Sequence, residues 1–255
     1  QFEDQNVDSI VFKEIIKIAI KSLGLDDLHE FNPRNRIIEY MLEEKDDKPL
    51  KEMSLKDFAY ETASESPAPG GGSIAAYCGT MGAALSVMVA NLSSHKRGWD
   101  ERWSEFSEWA EKGLCYQKEL LDLVDEDTNA FDQIISAFQL PKENKKEKET
   151  RHLAIQKATK NAILTPFKVM EISFESMTVI KEMAKIGNPN SVSDAGVAAI
   201  CARSAVMGAF LNVKINCSDL EDTNFVNDIL SKASKIIKKT CKMEEEILKI
   251  TNSKI

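Results

Sequence analysis

Histidine and cysteine are scarce in this chain, and their spacing does not suit a metal site. The 3 histidines lie far apart, and none of the 5 cysteines stands in a CxxC pair. A structural zinc site or a disulfide framework needs such clusters, so we expect neither. An odd number of cysteines among small apolar neighbours is typical of a reducing compartment, and we predict a cytoplasmic location.

Basic residues are outnumbered by acidic ones in this chain. The chain of 255 residues has 33 lysines and arginines against 41 aspartates and glutamates, which gives a net charge of -8. Nucleic-acid-binding proteins usually show a basic footprint, so we expect no nucleic-acid partner. The first residues lack a charged segment followed by an apolar one, and we therefore predict no secretory signal.

Charge is missing altogether between Ser66 and Ser94, although 29% of the chain is charged. This stretch opens with prolines and glycines and continues as a run of small residues from Ser73 onward. Its length would suffice to cross a membrane. The loop at its start and polar residues such as Thr80 and Asn91 instead favour a buried helix with Ser73 as its N-cap. We therefore expect no membrane partner.

Apolar residues recur at helical spacing over most of the chain, and no alternating strand pattern is present. Gly113 and Pro166 are expected to bend or break the two longest helices. Residues 213–216 are compatible with an extended segment. The predicted helices cover residues 10–23, a short segment after Asn32-Pro33, and then residues 55–63, 73–93, 100–138, a stretch ending at 186, one starting at 193 or 194, and 222–250.

A loop rich in helix breakers leads through a serine into a small-residue helix twice, near Ser73 and near Ser193. Small side chains let two helix backbones approach, so these helices can pack face to face. The predicted fold class is all-α, a helical bundle with the two small-residue helices at its centre. Residues 43–51 are charged and contain a proline, which is typical of an exposed connection. We therefore divide the chain into a connecting segment at residues 1–50 and a helical domain at residues 51–255.

The glycine-rich loop at residues 67–73 is the first candidate for function. A glycine-rich turn that feeds a helix N-terminus offers free backbone N–H groups to an anionic ligand. No lysine follows, so a nucleotide-binding P-loop is excluded, and the loop follows a helix rather than the strand that a dinucleotide fingerprint requires. The residues alone leave open a tight turn between packed helices.

Carboxylates provide two further candidates. Asp127 lies four residues from both Leu123 and Phe131, on or beside an apolar helix face, where burial would raise its pKa and suit acid–base chemistry. By residue type alone, Asp127 and its neighbour Asp125 fit a solvated face better. Asp194 either binds a ligand or caps a helix. The charged segment 142–151 is either a solvated first helical turn or a basic rim for an anionic substrate.

Several segments together resemble the cyclodeaminase domain of the formiminotransferase-cyclodeaminase family, which also includes methenyltetrahydrofolate cyclohydrolases. These segments are SPAPGGGSIAA, VDEDTNAF, LPK, GNPNSVSDAGVAA and GAFLNVKIN, and they follow one another as in the family from about Ser54 to Ile250. Residues 1–50 contain LGLDDLHEFNPRNRIIEYML and resemble the end of a formiminotransferase domain. The catalytic portion of that transferase is absent, so no transferase activity is expected.

The resemblance implies an all-helical homodimer that needs no metal or redox cofactor. The implied reaction closes 5-formiminotetrahydrofolate to 5,10-methenyltetrahydrofolate and releases ammonia. Asp127 would be the catalytic acid–base group, with Asp125 its neighbour and Asp194 close by to bind the pterin or assist proton transfer. A methenyltetrahydrofolate cyclohydrolase on the same scaffold and a helical binding module without catalysis remain as alternatives.

The implied partners are a folate, polyglutamylated or not, a second copy of the chain, and a formiminotransferase domain or protein. The folate tail is assigned to the basic segment on charge grounds only. The predicted substrate-binding residues are Pro69, Gly70, Gly71, Gly72, Ser73, Ser193 and Lys142.

Overall fold

The structure is a computed structural model that describes residues 15, 16, 18–25 and 49–255. It divides into two units, Gln1–Lys48 and Pro49–Ile255. In the first unit residues 18–22 are helical, and Gly24, at φ 60°, follows the helix end as predicted. The helix predicted after Asn32-Pro33 lies outside the described residues.

Residues 49–255 form helices and contain no strand, which confirms the all-α prediction. Three short 3-10 turns at Leu50–Glu52, Asp100–Arg102 and Pro189–Ser191 connect or precede the long elements. The six α-helices are α1 (Leu55–Thr62), α2 (Gly71–Ser94), α3 (Trp103–Phe138), α4 (Lys145–Ile186), α5 (Val192–Cys217) and α6 (Thr223–Asn252).

Side-chain caps explain where several helices begin. The Ser54 hydroxyl accepts the N–H of Asp57 at the start of α1. Asn144 and Glu147 form a capping box at the start of α4. The charged segment 142–151 is therefore the entry and first turns of a helix, which is the simpler of its two interpretations.

The starts of the small-residue helices differ from the prediction. Helix α2 begins at Gly71 with Gly70 as its N-cap, so Ser73 already lies in the first turn. Helix α5 begins at Val192 after a 3-10 turn, and neither Ser193 nor Asp194 is its cap. Both errors have one cause. A sequence pattern predicts a helix start at a serine or aspartate that can cap it, whereas the actual N-caps, Gly70 and Ser191, make no side-chain cap hydrogen bond.

We predicted a bend or a break at Gly113 and Pro166, and a break was wrong at both positions. Helix α3 runs for 36 residues through Gly113, and α4 runs for 42 residues through Pro166. A β-carbon on Gly113 would lie 2.7 Å from Cγ2 of Val87, so this glycine serves the close approach of α2 and α3. Residues 213–216 are helical within α5 rather than extended.

Four helices form the main core. Helix α2 packs against α3 and α5, α4 packs against the same two helices, and α6 packs across α4 and α5. Helices α2 and α5 are antiparallel, because Gly82 meets Ala198 and Ala202 whereas Gly71 meets Asn212. This pairing of the two small-residue helices confirms the prediction from composition.

The pair is less central than predicted. Both helices are long and apolar enough to cross a membrane by composition, with a mean hydropathy of 1.5, and 56% and 44% of the relevant windows are buried inside the bundle. Their small residues face the core, whereas a set of large apolar side chains remains exposed. We call this set the outer face: Met81, Met88, Leu92, Val197, Ile200, Met207, Leu211 and Ile215.

The close packing of α2 on α5 predicts opposite outcomes for two helical glycines. A β-carbon on Gly82 would lie 2.9 Å from the backbone oxygen of Ala198, which cannot move aside alone. On Gly196 it would lie 3.1 Å from a methyl group of Thr251, which can. We expect Gly82→Ala to lower the free energy of unfolding by about 1 kcal/mol or more, despite the helix propensity gained.

Thermal unfolding checks this, with Gly196→Ala as the matched control. The control gains the same propensity, about 1 kcal/mol, and has only a methyl group to displace, so its stability should equal or exceed that of wild type. Equal melting temperatures for the two variants would contradict the packing argument.

Candidate functional site

A cavity of about 140 Å³ lies where the glycine-rich loop meets three long helices. The loop and the start of α2 form one wall, the C-terminal third of α3 a second, and the end of α5 a third, with Ala162 of α4 at the base. Its lining residues are Pro67, Ala68, Gly70, Gly71, Gly72, Asp127, Thr128, Ala130, Phe131, Ile134, Ala162, Asn212 and Asn216.

Asp127 of α3 contacts the first turn of α2. The Ser73 hydroxyl donates to Oδ2 of Asp127 at 3.0 Å, and the backbone N–H of Ser73 also bonds this carboxylate. A β-carbon on Gly72 would overlap the carboxyl group of Asp127, so only glycine allows the approach. The carboxylate thereby caps a helix whose own N-cap, Gly70, has no side chain.

Burial dominates the electrostatics of Asp127. Desolvation raises the pKa of its carboxyl group above the usual range of aspartate, and the two hydrogen bonds from Ser73 offset this only in part. A carboxyl group of raised pKa beside a cavity takes up a proton more readily than an exposed aspartate and can return it. This geometry replaces the solvated-surface interpretation of Asp127.

Three further polar residues, two on α5 and one on α3, line the same cavity. Asn212 and Asn216 lie one turn apart near the end of α5 and line the wall opposite α3. Thr128 lines it as well, and its hydroxyl oxygen is buried without a hydrogen-bond partner among the described residues. Helix breaks and carboxylates guided the sequence interpretation, so it missed these three neutral side chains. The i, i+4 spacing of the asparagines in GAFLNVKIN was the available signal.

The structure brings together most of the residues predicted from the loop. Gly70, Gly71 and Gly72 line the cavity, and Ser73 holds Asp127. Pro69 is buried behind the loop, where it follows a cis peptide bond, and does not line the cavity.

Asp125 does not reach the cavity. It lies two residues before Asp127 and so points about 200° away around α3. Its Oδ2 lies 3.8 Å from Nζ of Lys51, which also forms an ion pair of 2.7 Å with Asp122. Asp125 thus contributes to the contact between α3 and the turn at Leu50–Glu52.

Three other predicted site residues lie elsewhere. Ser193 and Asp194 stand in the first turn of α5, 18 residues before Asn212, which is about 27 Å along a straight helix. The expectation that Asp194 lies close to the glycine loop was therefore wrong within this chain, because α5 runs antiparallel to α2. Lys142 is exposed in the connection after α3 and does not line the cavity.

Comparison with known proteins assigns this architecture to a family. The family model for formiminotransferase-cyclodeaminase matches residues 54–235, and the model for the formiminotransferase domain matches residues 2–43. The chain belongs to the formiminotransferase-cyclodeaminase family. The resemblance drawn from the sequence segments is thereby confirmed.

Individual relatives of this family member differ in length and name. The formimidoyltransferase-cyclodeaminase of Rattus norvegicus is 35% identical over 82% of this chain and 39% of its own length. The methenyltetrahydrofolate cyclohydrolase of Methylorubrum extorquens is 33% identical over 79% of this chain and 97% of its own. The chain thus spans about two fifths of the bifunctional relatives and nearly all of the shorter one.

A solved structure shares the fold. The crystal structure of formiminotetrahydrofolate cyclodeaminase from Thermotoga maritima superposes with a TM-score of 0.70 at 25% identity, covering 80% of this chain and 98% of the other. The helical arrangement of this cyclodeaminase-family domain is therefore shared with an enzyme of that name.

The partly buried Asp127 carboxylate predicts a pH-dependent stability difference. Its pKa is raised in the folded protein, so the native state binds the proton more tightly than the unfolded chain does. As the pH rises from the ordinary aspartate pKa through the folded one, ionisation costs the wild type stability. We therefore expect Asp127→Asn to melt at a higher temperature than wild type near neutral pH, with the advantage shrinking as the pH falls.

Melting temperatures across this pH range measure the effect. Asp132→Asn is the control, because Asp132 is exposed on the same helix. An Asp127→Asn advantage that grows towards acid pH would contradict the proposed burial cost.

Proposed function

We propose that this chain is a formiminotetrahydrofolate cyclodeaminase, which closes 5-formiminotetrahydrofolate to 5,10-methenyltetrahydrofolate with release of ammonia. The observation that carries the proposal is Asp127, a partly buried carboxylate of raised pKa held at a helix N-terminus beside a cavity. Family membership supports the substrate, and one side chain of this kind supports the chemistry.

The reaction needs one proton moved over a short distance. Nitrogen N10 of the folate attacks the formimino carbon, and the ionised Asp127 accepts the proton that N10 loses. The C–N bond to the formimino nitrogen then breaks, and Asp127 returns the proton to that departing nitrogen as ammonia leaves. Protons balance, since the N10 proton ends on ammonia and the positive charge of the protonated formimino group ends on the methenyl bridge.

The surroundings of Asp127 suit this alternation. Desolvation favours the protonated form, whereas the hydroxyl and N–H of Ser73 favour the ionised form. The opposing effects keep the two protonation states closer in free energy than in an exposed aspartate. Gly72 lets the carboxylate sit against the helix N-terminus, which stabilises negative charge.

The cavity fits only part of a folate. Small-molecule sites usually have volumes of roughly 300–1,000 Å³, more than the 140 Å³ enclosed here. In our proposal the reacting ring lies inside and the glutamate tail extends beyond the mouth. Lys142 remains a proposed contact for a polyglutamate tail on charge alone.

Methenyltetrahydrofolate cyclohydrolase is the second candidate. The Methylorubrum extorquens relative of that name is covered by this chain over 97% of its length, so a chain of this size suits that activity too. Both reactions pass between N5, N10 and a one-carbon unit and differ in whether ammonia or water is exchanged. The same Asp127 would move the proton in either case.

The match of residues 2–43 to the formiminotransferase domain supports the first candidate. A transferase that makes the formimino compound is a natural neighbour for an enzyme that consumes it. We propose a formiminotransferase domain or protein as partner on this basis.

Activity assays of the purified chain decide between these functions. We expect ammonia and the methenyl absorbance to appear together from 5-formiminotetrahydrofolate. We expect Asp127→Asn to lose at least about 100-fold in kcat, the scale of lost acid–base catalysis, while remaining folded. Asp125→Asn is the matched control and should keep most activity, because that carboxylate faces Lys51.

Each alternative result has a definite meaning. Hydrolysis of methenyltetrahydrofolate without cyclodeamination would replace the first function by the second. Wild-type rates in Asp127→Asn would remove this residue from the mechanism. Folate binding without either reaction would leave a binding module.

We also propose that the chain forms homodimers through the outer face. Its eight exposed apolar side chains belong to helices α2 and α5. Between Ala195 and Val213 of α5, Arg203 is the one charged residue. Exposed apolar side chains gathered on two adjacent helices of a domain usually mark an interface. A second copy presents the same apolar side chains, so the two faces can bury one another about a two-fold axis.

Charge introduced on this face should prevent association. We expect Leu211→Glu, at 65% exposed, to shift the mass in sedimentation equilibrium from dimer to monomer, because a carboxylate would have to be buried unpaired. Leu153→Glu, at 62% exposed on α4, is the matched control and should leave the mass unchanged. A wild-type monomer, or a dimer unaffected by Leu211→Glu, would contradict the proposed interface.

A further inference from the structure

Pro166 lies inside α4 and leaves one carbonyl without its helical donor. In an α-helix the N–H of each residue bonds the carbonyl four residues earlier, and proline has no N–H. The affected carbonyl belongs to Ala162, which is buried at the base of the cavity. A buried carbonyl without a partner is costly, so a donor must come from outside α4.

Asn216 of α5 supplies that donor. Its Nδ2 donates to the carbonyl oxygen of Ala162 at 2.7 Å. A carbonyl can only accept, so this bond determines which end of the amide is nitrogen and directs Oδ1 elsewhere. Asn216 lines the cavity, and its Oδ1 accepts no hydrogen bond from any residue in the described part of the chain.

Asn212 is oriented in a similar way. Its Nδ2 donates to the carbonyl oxygen of Gly208 at 3.0 Å, and its amide lies against Gly71. Its Oδ1 likewise has no donor within the residues that the structure covers. The cavity is thus lined by two asparagines whose side-chain oxygens are left as acceptors, by the Asp127 carboxylate, and by the Thr128 hydroxyl, which can donate or accept. Such a set selects a ligand group rich in N–H donors.

We propose that Asn216 is a substrate-positioning residue whose side-chain oxygen accepts an N–H of the folate, and that the proline-freed carbonyl of Ala162 holds the amide in that orientation. The proposal rests on the proposed function, because it takes the ligand to be a tetrahydrofolate. Two parts of that ligand carry suitable N–H groups, the formimino nitrogen and the amino-pyrimidine edge of the pterin.

A purely structural role for Asn216 makes a different prediction. If the amide only caps the Ala162 carbonyl, any other donor to that carbonyl should serve as well. Pro166→Ala provides one, because residue 166 regains an N–H that can bond Ala162 within the helix. Pro166 does not line the cavity, so every cavity side chain stays in place.

We expect Pro166→Ala to separate stability from binding. Its melting temperature should equal or exceed that of wild type, since alanine suits a helix interior far better than proline. Its Kd for tetrahydrofolate should stay close to that of wild type, because the carbonyl oxygen of Ala162 has two lone pairs and can accept from Asn216 as well as from the new N–H. Calorimetry and thermal unfolding of the full chain measure the two quantities.

Asn216→Leu is the second variant. It should raise the Kd by about 10-fold or more and lower the melting temperature, because the Ala162 carbonyl is then unpaired. In the Pro166→Ala background the same change should cost less stability, since the backbone already bonds that carbonyl. Asn161→Leu is the control: Asn161 donates to Gln133 at 3.2 Å next to Ala162 but does not line the cavity, so the Kd should not change.

Two ligands locate the bond, measured in an Asp127→Asn background that prevents turnover. 5-Formyltetrahydrofolate carries an oxygen where the formimino compound carries nitrogen. A loss confined to the formimino ligand places the bond on that nitrogen, and an equal loss for both places it on the pterin edge. Either result supports the proposal.

An unchanged folate affinity in Asn216→Leu, both alone and in the Pro166→Ala background, would overturn the proposal and leave Asn216 as a cap. If the wild type itself binds no tetrahydrofolate, the proposed function fails and this inference with it. The wild-type measurement therefore distinguishes the two failures.

Discussion

The contact between Asp127 and the first turn of α2 is the constraint on which the site depends. It joins the two helices that share the cavity wall, and it requires a carboxylate, a serine and a glycine at one point. The carboxylate supplies the cap that Gly70 lacks. The helix end in turn supplies hydrogen bonds that stabilise the ionised form of this partly buried carboxylate. The same contact therefore affects both stability and the proposed chemistry. Stability favours the protonated form of Asp127, whereas the proposed reaction begins with its ionised form.

Close packing of small residues makes this contact possible. Gly79, Gly82 and Gly113 each lie where a β-carbon would come within 3 Å of a neighbouring atom, so α2 sits deep against α3, α4 and α5. A helix held this firmly keeps its N-terminus at a defined place beside α3. The same composition leaves the outer side of α2 and α5 apolar and without carboxylates, and the interior and the proposed dimer interface thus arise from the same two segments.

Periodicity and composition predicted the helices well and their ends less well. The pairing of α2 with α5 followed from their small residues, because close approach depends on residue size alone. The caps at Ser73 and Ser193 were wrong, because a serine near a helix start can serve a distant partner instead, as Ser73 serves Asp127. The break at Pro166 was wrong for a similar reason: Asn216, 50 positions along the chain, bonds the carbonyl that the proline leaves free.

By itself, the sequence determined the all-helical class and the paired small-residue helices, and through family resemblance it predicted Asp127 as the acid–base residue. These features depend on local periodicity and on motifs that are contiguous in the chain. Only the tertiary structure decided which polar groups meet. The antiparallel course of α5 brings Asn212 and Asn216 to Asp127 and carries Asp194 about 27 Å away, since a straight helix advances about 1.5 Å per residue whatever its sequence.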